Sequence, residues 1–188
     1  MKRIWMLFAA VLCTCALQAQ DLATNPNPMS ADLRGRYDYI KKYLVAAAEK
    51  MPEEAYAFQP TKEIKSFGLV IAHTADVQMA FCSMAAGARK NLNAAALKTK
   101  AEWVAALKAS FDECDPLYAG LTDAAAAEMV PAITGKAPRL TTLFYNVTHD
   151  NEMYGVIGVY LRLKGVVPPS TVDAEAAQAK RQKANTQP

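Results

Sequence analysis

Four stretches of the chain place apolar residues at intervals of three and four, the spacing that collects them on one face of an α-helix. No stretch alternates apolar and polar residues as a half-buried strand does, and proline and glycine separate the four stretches. Amphipathic helices without a sheet bury their apolar faces against one another. The pattern therefore predicts an all-α protein, a four-helix bundle.

The ends of the first two helices are marked by capping and breaking residues. Ser30 is suited to cap the first helix, which should end before Pro52, because proline disfavours helical geometry in the residue preceding it. Ser66 is suited to cap the second helix, and Gly87 to end it. Residues 52–65 predict a crossing loop between the two.

The third and fourth helices are separated by a broken, alanine-rich segment. Thr99 and Glu102 have the spacing of a capping box and should open the third helix. Residues 122–137 predict a short turn and a loop, and the fourth helix should run from Pro138 to about Lys164. The fourth helix carries the large apolar residues Leu140, Phe144, Tyr145, Val156 and Val159. We expect the side that bears them to face the core.

The N-terminus has the layout of a secretory signal peptide. Lys2 and Arg3 precede an apolar run over residues 4–17, and cleavage after Ala19 fits best. The run is too short for a comfortable membrane span, so we expect an exported protein, periplasmic or extracellular, without a stable membrane span after cleavage. An uncleaved anchor and a lipoprotein attached at Cys15 are the weaker alternatives. The predicted division is a signal peptide over 1–19, a linker over 20–29, the bundle over 30–169 and a disordered tail over 170–188.

Removal of the leader changes both the charge and the cysteine count. The 21 basic residues fall to 19 against 18 acidic ones, which gives no electrostatic case for a nucleic-acid partner. The four cysteines fall to two, Cys82 and Cys114. Their spacing is not that of a metal knuckle, so a bridge and two buried thiols both remain open.

The chain has two histidines, His73 in the second helix and His149 in the fourth, and both are expected to face the bundle interior. Imidazole is a common ligand of zinc, nickel and iron, and bundle cores are places where such sites assemble. The alternative is a pair of hydrogen-bonded core residues. Asp76 shares the face of His73 and can be a ligand or orient an imidazole, whereas Asp150 is rotated about 100° from His149 and cannot easily share the site.

Three segments, Ile71–Asp76, Thr148–Gly155 and Tyr160–Pro169, resemble the DinB-like (damage-inducible) superfamily, and the resemblance covers roughly residues 30–170. It implies a bundle of up-down-down-up topology. It also implies a divalent-metal site with one histidine from the second helix and two, four residues apart, from the fourth. His73 and His149 match the first two positions, while Met153 occupies the third.

Because three protein ligands plus water are usual in a catalytic metal site, the methionine puts this site in doubt. Either Asp76 or Glu152 completes it, or zinc or nickel binds weakly and at low occupancy, or the site has lapsed. The implied topology runs the second and third helices in parallel, which sets Cys82 and Cys114 at about the same height, roughly 23 Å from the helix starts. On that basis we expect a Cys82–Cys114 disulfide.

The resemblance implies a metal-dependent enzyme, either a transferase that joins a thiol to an electrophile or a hydrolase-like protein, in which the ion lowers the pKa of a bound thiol or water. Export and the missing histidine count against this function. The alternative is a non-catalytic bundle that binds a small molecule or a protein, and a homodimer is compatible with either. Aromatic residues that could line a pocket, or simply pack in the core, are Tyr37, Phe81, Phe144, Tyr145 and Tyr154.

Overall fold

A computed structural model describes residues 25–186, so the expected leader and most of the expected linker lie outside the described residues. Within that range the chain forms six α-helices and a two-stranded antiparallel sheet. In chain order these are α1 (Pro28–Lys50), α2 (Phe67–Ala85), α3 (Lys100–Ala119), α4 (Asp123–Ala126), β1 (Met129–Pro131), β2 (Lys136–Pro138), α5 (Arg139–Leu163) and α6 (Pro169–Thr186). Helices α1, α2, α3 and α5 form the predicted bundle.

Helix α2 runs parallel to α3 and antiparallel to α5. Along α2, Gln78 lies beside Ser110 and Cys82 beside Cys114, so the residue numbers rise together on α2 and α3. Against α5 the order reverses, since the ring of Phe67 lies 6.0 Å from Tyr160 and that of Phe81 lies 6.4 Å from Tyr145.

Helix α1 shows the opposite arrangement, antiparallel to α3 and parallel to α5. Tyr37 stacks on Tyr118 near the end of α3, while Glu49 pairs with Lys108 near its middle. On α5, Leu140 shares a groove with Leu33, and farther along both helices Tyr154 approaches Tyr43. The bundle is therefore up-down-down-up, as the resemblance implied.

Helix α2 is the most deeply buried element, with 15 of its 19 residues buried. A helix that is apolar on nearly every side has to be covered on nearly every side, and α2 is covered by both α3 and α5. Among the described residues it is the one helix long and apolar enough to cross a membrane by length and composition, and its burial accounts for that composition.

The expected helix ends are confirmed except at the start of α1, although the Ser66 side chain makes no capping hydrogen bond to α2. The Thr99–Glu102 capping box is present, and Gly87 follows α2 with a φ of 116°, a conformation that favours glycine. Helix α1, however, begins at Pro28 rather than after Ser30, which is itself buried in the helix. Proline is well suited to the first helical turn, and Asp123 accepts hydrogen bonds from two backbone amides of that turn.

The segment after α3 contains the short helix α4 and the β1–β2 hairpin, in which Val130 pairs with Ala137. The sequence predicted a turn and a loop there. Three-residue strands are too short to show alternation, which explains why the pattern missed them.

The expected core side of α5 is wrong. Phe144 and Tyr145 are 52% and 55% exposed, and Val156 and Val159 are exposed as well. The buried side instead carries Leu143, Val147, Asp150, Ile157 and Leu161. Both sides of α5 bear apolar residues, so spacing alone could not choose between them.

The predicted disordered tail is also wrong, because Pro169–Thr186 forms helix α6. The segment is rich in alanine, the strongest helix former. Its first turns are attached to the bundle: Tyr154 donates a hydrogen bond to Ser170, and Tyr43 donates one to Asp173. No residue of α6 is buried.

Candidate functional site

The antiparallel contact of α2 and α5 brings the two histidines together. Their Nε2 atoms lie 3.4 Å apart, and the rings meet edge to face with their centroids 5.2 Å apart. Both are partly buried, and the side chain of His149 is 18% exposed. The contact of the two Nε2 atoms has the length of a long hydrogen bond, in which the tautomers decide which ring donates, and solvent can reach both rings.

The surroundings of His73 favour its neutral form. Burial lowers its pKa below the ordinary value, and nearby His149 and Lys65 lower it further, against the opposite effect of Asp76 and Glu152. Neutral imidazole is the form that binds metal ions. At neutral pH His73 thus offers a lone pair rather than a positive charge.

The separation of the two nitrogens fits a metal ion. In a tetrahedral shell with ordinary zinc–nitrogen distances, two ligand nitrogens lie about 3.3–3.4 Å apart. The Nε2 atoms of His73 and His149 stand at that separation. The two residues thus match one edge of a tetrahedral site, although within residues 25–186 no three or more His, Cys, Asp or Glu residues come together as a metal-binding group.

The other expected ligands lie at the edge of the site. One carboxylate oxygen of Asp76 accepts a hydrogen bond of 2.9 Å from the backbone amide of Ala94, so this residue holds the loop between α2 and α3. Glu152 is exposed. Met153 is partly buried, and it lines the same cleft as His73.

Asp150 is a feature of the site that the sequence interpretation set aside. It is fully buried, and burial raises its pKa to about 6. The missed signal is its spacing: Leu143, Val147, Asp150, Ile157 and Leu161 share one buried stripe of α5. A carboxylate in the middle of an apolar stripe needs polar partners.

Two amide side chains provide those partners. With its amide nitrogen turned toward Asp150, Gln78 donates to the two carboxylate oxygens at 2.6 and 3.2 Å, while its oxygen accepts from Ser110 and from the backbone amide of Phe111. Asn146 donates to Asp150 at 3.4 Å and to the Tyr118 hydroxyl at 3.2 Å. A polar network therefore crosses the bundle core from α2 and α3 to α5.

This network ends beside His149. Among residues 25–186 the Nδ1 atom of His149 is buried without a hydrogen-bond partner, and it lies 3.9 Å from Oδ1 of Asp150. That distance is too long for a hydrogen bond. Metal-binding histidines commonly donate their second nitrogen to a carboxylate, which fixes the ring and the tautomer. Asp150 is the carboxylate that lies beside the Nδ1 atom of His149.

An apolar cleft of about 470 Å³ opens beside His73, between the loop that precedes α2 and the second half of α5. A wider groove of about 1040 Å³ between α1 and α5 contains none of the site residues. We place the candidate site in the smaller cleft because His73 and Met153 line it. Its walls are formed by Pro60, Glu63, Ile64, Lys65, Val70, His73, Met153, Val156, Val159, Tyr160 and Leu163.

The aromatic residues proposed as a pocket do not form one. Tyr37 is buried against Tyr118, and its hydroxyl donates to Asp115, whereas Tyr145 stacks on Phe81 at the surface. Tyr154 faces α1 and the start of α6. These residues serve separate packing contacts.

The structure contains a Cys82–Cys114 disulfide that joins α2 to α3, with the two Cα atoms 5.1 Å apart. Both cysteines are fully buried. The bridge lies one turn of α2 beyond Gln78, so it fixes the helix pair that supplies the partners of Asp150.

Two solved structures share this architecture. A DinB-like protein from Bacillus cereus superposes with a TM-score of 0.62 at 15% sequence identity, over 73% of this chain and 93% of that one. A DinB-like protein from Bacillus subtilis gives 0.56 at 14% identity, over 71% and 92%. These similarities show the fold.

Sequence comparison adds the family. No curated protein sequence matches the chain. The family model of the DinB superfamily matches residues 36–157, a span that begins in α1, ends in α5 and includes both histidines. The chain belongs to the DinB superfamily.

Proposed function

We propose that this DinB-superfamily protein binds one divalent metal ion, zinc or nickel, between His73 and His149. The observation that carries the proposal is the 3.4 Å separation of the two Nε2 atoms, which matches an edge of a tetrahedral shell. The lowered pKa of His73 supports it, because this imidazole is neutral and free to coordinate at physiological pH.

An ion at this position would lower the pKa of a thiol or water molecule bound to it and so supply a nucleophile near neutral pH. That chemistry suits a thiol transferase or a hydrolase-like enzyme. The side chains of the protein have distinct roles around it. His73 and His149 would hold the ion, Asp150 would orient His149, and the cleft beside Met153 would receive the reacting molecule and keep water away.

Two protein ligands hold a metal more weakly than three, so we expect partial occupancy. The wild-type protein and the variants His73→Ala, His149→Ala and Met153→His can be compared by calorimetric titration with zinc and nickel, without a polyhistidine tag. Each alanine variant should lose at least about tenfold in affinity. Met153→His adds an imidazole one helical turn from His149 and should gain at least about tenfold.

Met153→Leu is the matched control, since it keeps the apolar volume and adds no ligand; its metal affinity should equal that of the wild type. Stoichiometric binding that survives both alanine substitutions would refute the proposed site. If Met153→His also fails to bind metal, the assignment of Met153 to the third ligand position is wrong.

The second candidate is a bundle that binds a small molecule without turnover. The apolar cleft next to an incomplete ligand set favours it. The same titration separates the two. Metal binding by Met153→His alone, with none by the wild-type protein, points to a lapsed metal site and to a binding function.

We also propose that the protein is exported and acts in the periplasm or outside the cell. The basic and apolar start of the sequence supports export, and a disulfide is compatible with an oxidising compartment. N-terminal sequencing of the mature protein should begin at Gln20. A mature chain that still begins at Met1 would contradict cleavage.

A further inference from the structure

The wider groove between α1 and α5 lies where both helices begin, away from the histidine pair. Ala31 and Gly35 of α1 line it, so no large side chain from that stretch fills the space between the helices. Tyr39 of α1 and Phe144 of α5 form its walls and are 57% and 52% exposed. One face of the bundle thus carries both a recess and exposed aromatic rings.

The exposed apolar side chains of the bundle are unevenly distributed. Met29 and Tyr145, which line the same end of the α1–α5 groove as Phe144, are 57% and 55% exposed. Helix α3, by contrast, exposes no large apolar side chain among the residues that the structure describes. We call the surface of Met29, Tyr39, Phe144 and Tyr145 the α1–α5 face.

The α1–α5 face has a size that matters for association. A large side chain offers about 150–250 Å² of surface, so four that are about half exposed leave roughly 400 Å² uncovered. That is about half of the roughly 800 Å² that each partner contributes to a specific interface, before the surrounding rim is counted. An apolar patch of this extent on a folded domain commonly marks an interaction site.

The charges on this face fit a second copy of the same face. Asp32 and Arg36 are the two charged residues that line the groove; they lie one turn apart on α1, with the Arg36 Nε atom 2.8 Å from a carboxylate oxygen of Asp32. In a two-fold contact that sets α1 antiparallel to α1 of another copy, Asp32 of each copy meets Arg36 of the other. Opposite charges one turn apart are therefore complementary to themselves.

The C-terminal helix is seated at the other end of the α1–α5 contact. Tyr43 of α1 donates a hydrogen bond to Asp173, and Tyr154 of α5 donates one to Ser170. Of the described residues of α6, none lines the open groove. This helix covers the far end of the contact and leaves the α1–α5 face open.

We propose that the α1–α5 face joins two copies of the chain in a two-fold symmetric dimer. The exposed rings of each copy enter the recess beside Gly35 of the other, and Asp32 pairs with Arg36 across the axis. Recess, rings and both charges lie on one surface, as a contact between identical patches requires. This inference needs no metal ion, so it stands or falls independently of the proposed function.

Sedimentation of the purified protein over a range of concentrations tests the dimer, with native mass spectrometry as the second measurement. We expect a species of twice the chain mass. Tyr39→Glu and Phe144→Glu should each weaken the dimer at least about tenfold, because each places a charge among the packed rings.

Val159→Glu is the matched control. Val159 is 55% exposed on the same helix, about 22 Å along α5 from Phe144, and it does not line the α1–α5 groove. This variant should dimerise as the wild type does. Circular dichroism checks that all three glutamate variants are folded.

A charge exchange tests the symmetry of the contact. Asp32→Arg and Arg36→Asp each bring like charges together across the axis, so each variant alone should dimerise at least about threefold more weakly. Mixing the two variants restores opposite charges, and native mass spectrometry should then show mainly the mixed dimer. A mixture without preference for the mixed dimer would overturn the proposed antiparallel contact.

Three other outcomes would overturn the proposal. One is a wild-type protein that stays monomeric at every concentration. Another is a dimer that Val159→Glu weakens and Phe144→Glu does not, which would place the contact elsewhere on α5. The third is a monomer that carries a bound small molecule in the native mass spectrum and loses it in Phe144→Glu, which would make the groove a ligand site.

Discussion

Helix α2 packs against α3 on one side and α5 on the other, and the two contacts are built differently. Toward α3 it is joined by the Cys82–Cys114 disulfide, and a Cβ atom on Gly68 would overlap the ring of Trp103. Toward α5, His73 of α2 faces His149 of α5, and an open cleft lies beside His73.

The difference shows how one buried helix can serve both stability and binding. The α3 side fixes α2 by a covalent bond and by close packing. The α5 side is then free to leave space around His73, because the position of α2 does not depend on filling that space. We expect substitutions on the α3 side to change stability and substitutions on the α5 side to change binding.

The largest effect should come from removing the disulfide. In Cys82→Ala/Cys114→Ala, the crosslink that closes 32 residues is lost, and the free energy of unfolding should fall by about 3–4 kcal/mol. Urea unfolding monitored by circular dichroism measures this. The zinc affinity of the variant should stay within about twofold of the wild type if the two sides of α2 are independent. A large loss of zinc affinity in a folded variant would break the comparison.

The next effect concerns Asp150, whose pKa is raised to about 6 by burial in the folded state. An aspartate in the unfolded chain titrates near 3.9, so between about pH 4 and 6 the folded state binds more protons. The contribution of Asp150 to the free energy of unfolding is therefore present below about pH 4 and is lost as the pH rises through 6. The loss should be up to about 3 kcal/mol in metal-free protein.

Asp150→Asn isolates this contribution. The stability of the wild type relative to the variant, from urea unfolding in EDTA at several pH values, should decline between about pH 4 and 6 and level off above. His73, whose lowered pKa makes stability fall toward acid pH, is present in both proteins and cancels in the difference. A difference that does not change with pH would show that Asp150 titrates normally.

Gly68→Ala should cost about 1–3 kcal/mol, because the new methyl group overlaps the Trp103 ring. The ring cannot easily move away, since its nitrogen donates to the carbonyl of Ala94 and its face stacks on Tyr56. Thermal unfolding measures the change. A neutral result would mean that the α3 side has room to adjust.

The same substitution on α5 should have the opposite sign. A Cβ atom on Gly155 meets no atom of the described part of the chain within 4 Å, so Gly155→Ala should stabilise the protein by about 0.5–1 kcal/mol through helix propensity alone. The two glycine variants, compared by the same unfolding method, serve as controls for each other. Destabilisation by Gly155→Ala would show that α5 is packed more tightly than its exposure indicates.

The sequence predicted the bundle because apolar spacing and capping residues are local signals. The Thr99–Glu102 box and Gly87 marked their helix ends correctly. Spacing could not give the rotation of α5, on which Phe144 and Val147 are both apolar but only Val147 is buried. That choice depends on which neighbours cover the helix, which is a property of the tertiary fold.

The candidate site was only partly accessible to the same reasoning. His73 and His149 could be singled out as the only imidazoles, but the 3.4 Å approach of their nitrogens depends on the antiparallel contact of α2 and α5. Asp150 was set aside because it is rotated away from His149. That rotation is what places it in the core, where Gln78 from another helix reaches it.

The placement of both histidines in one contact has a spectroscopic consequence. Since the chain contains no other histidine, each imidazole signal in a nuclear magnetic resonance spectrum of the untagged protein originates at this site. The titration of the two imidazoles, their tautomers and any binding of metal can thus be followed without interference from other histidine signals. A polyhistidine tag would hide these signals.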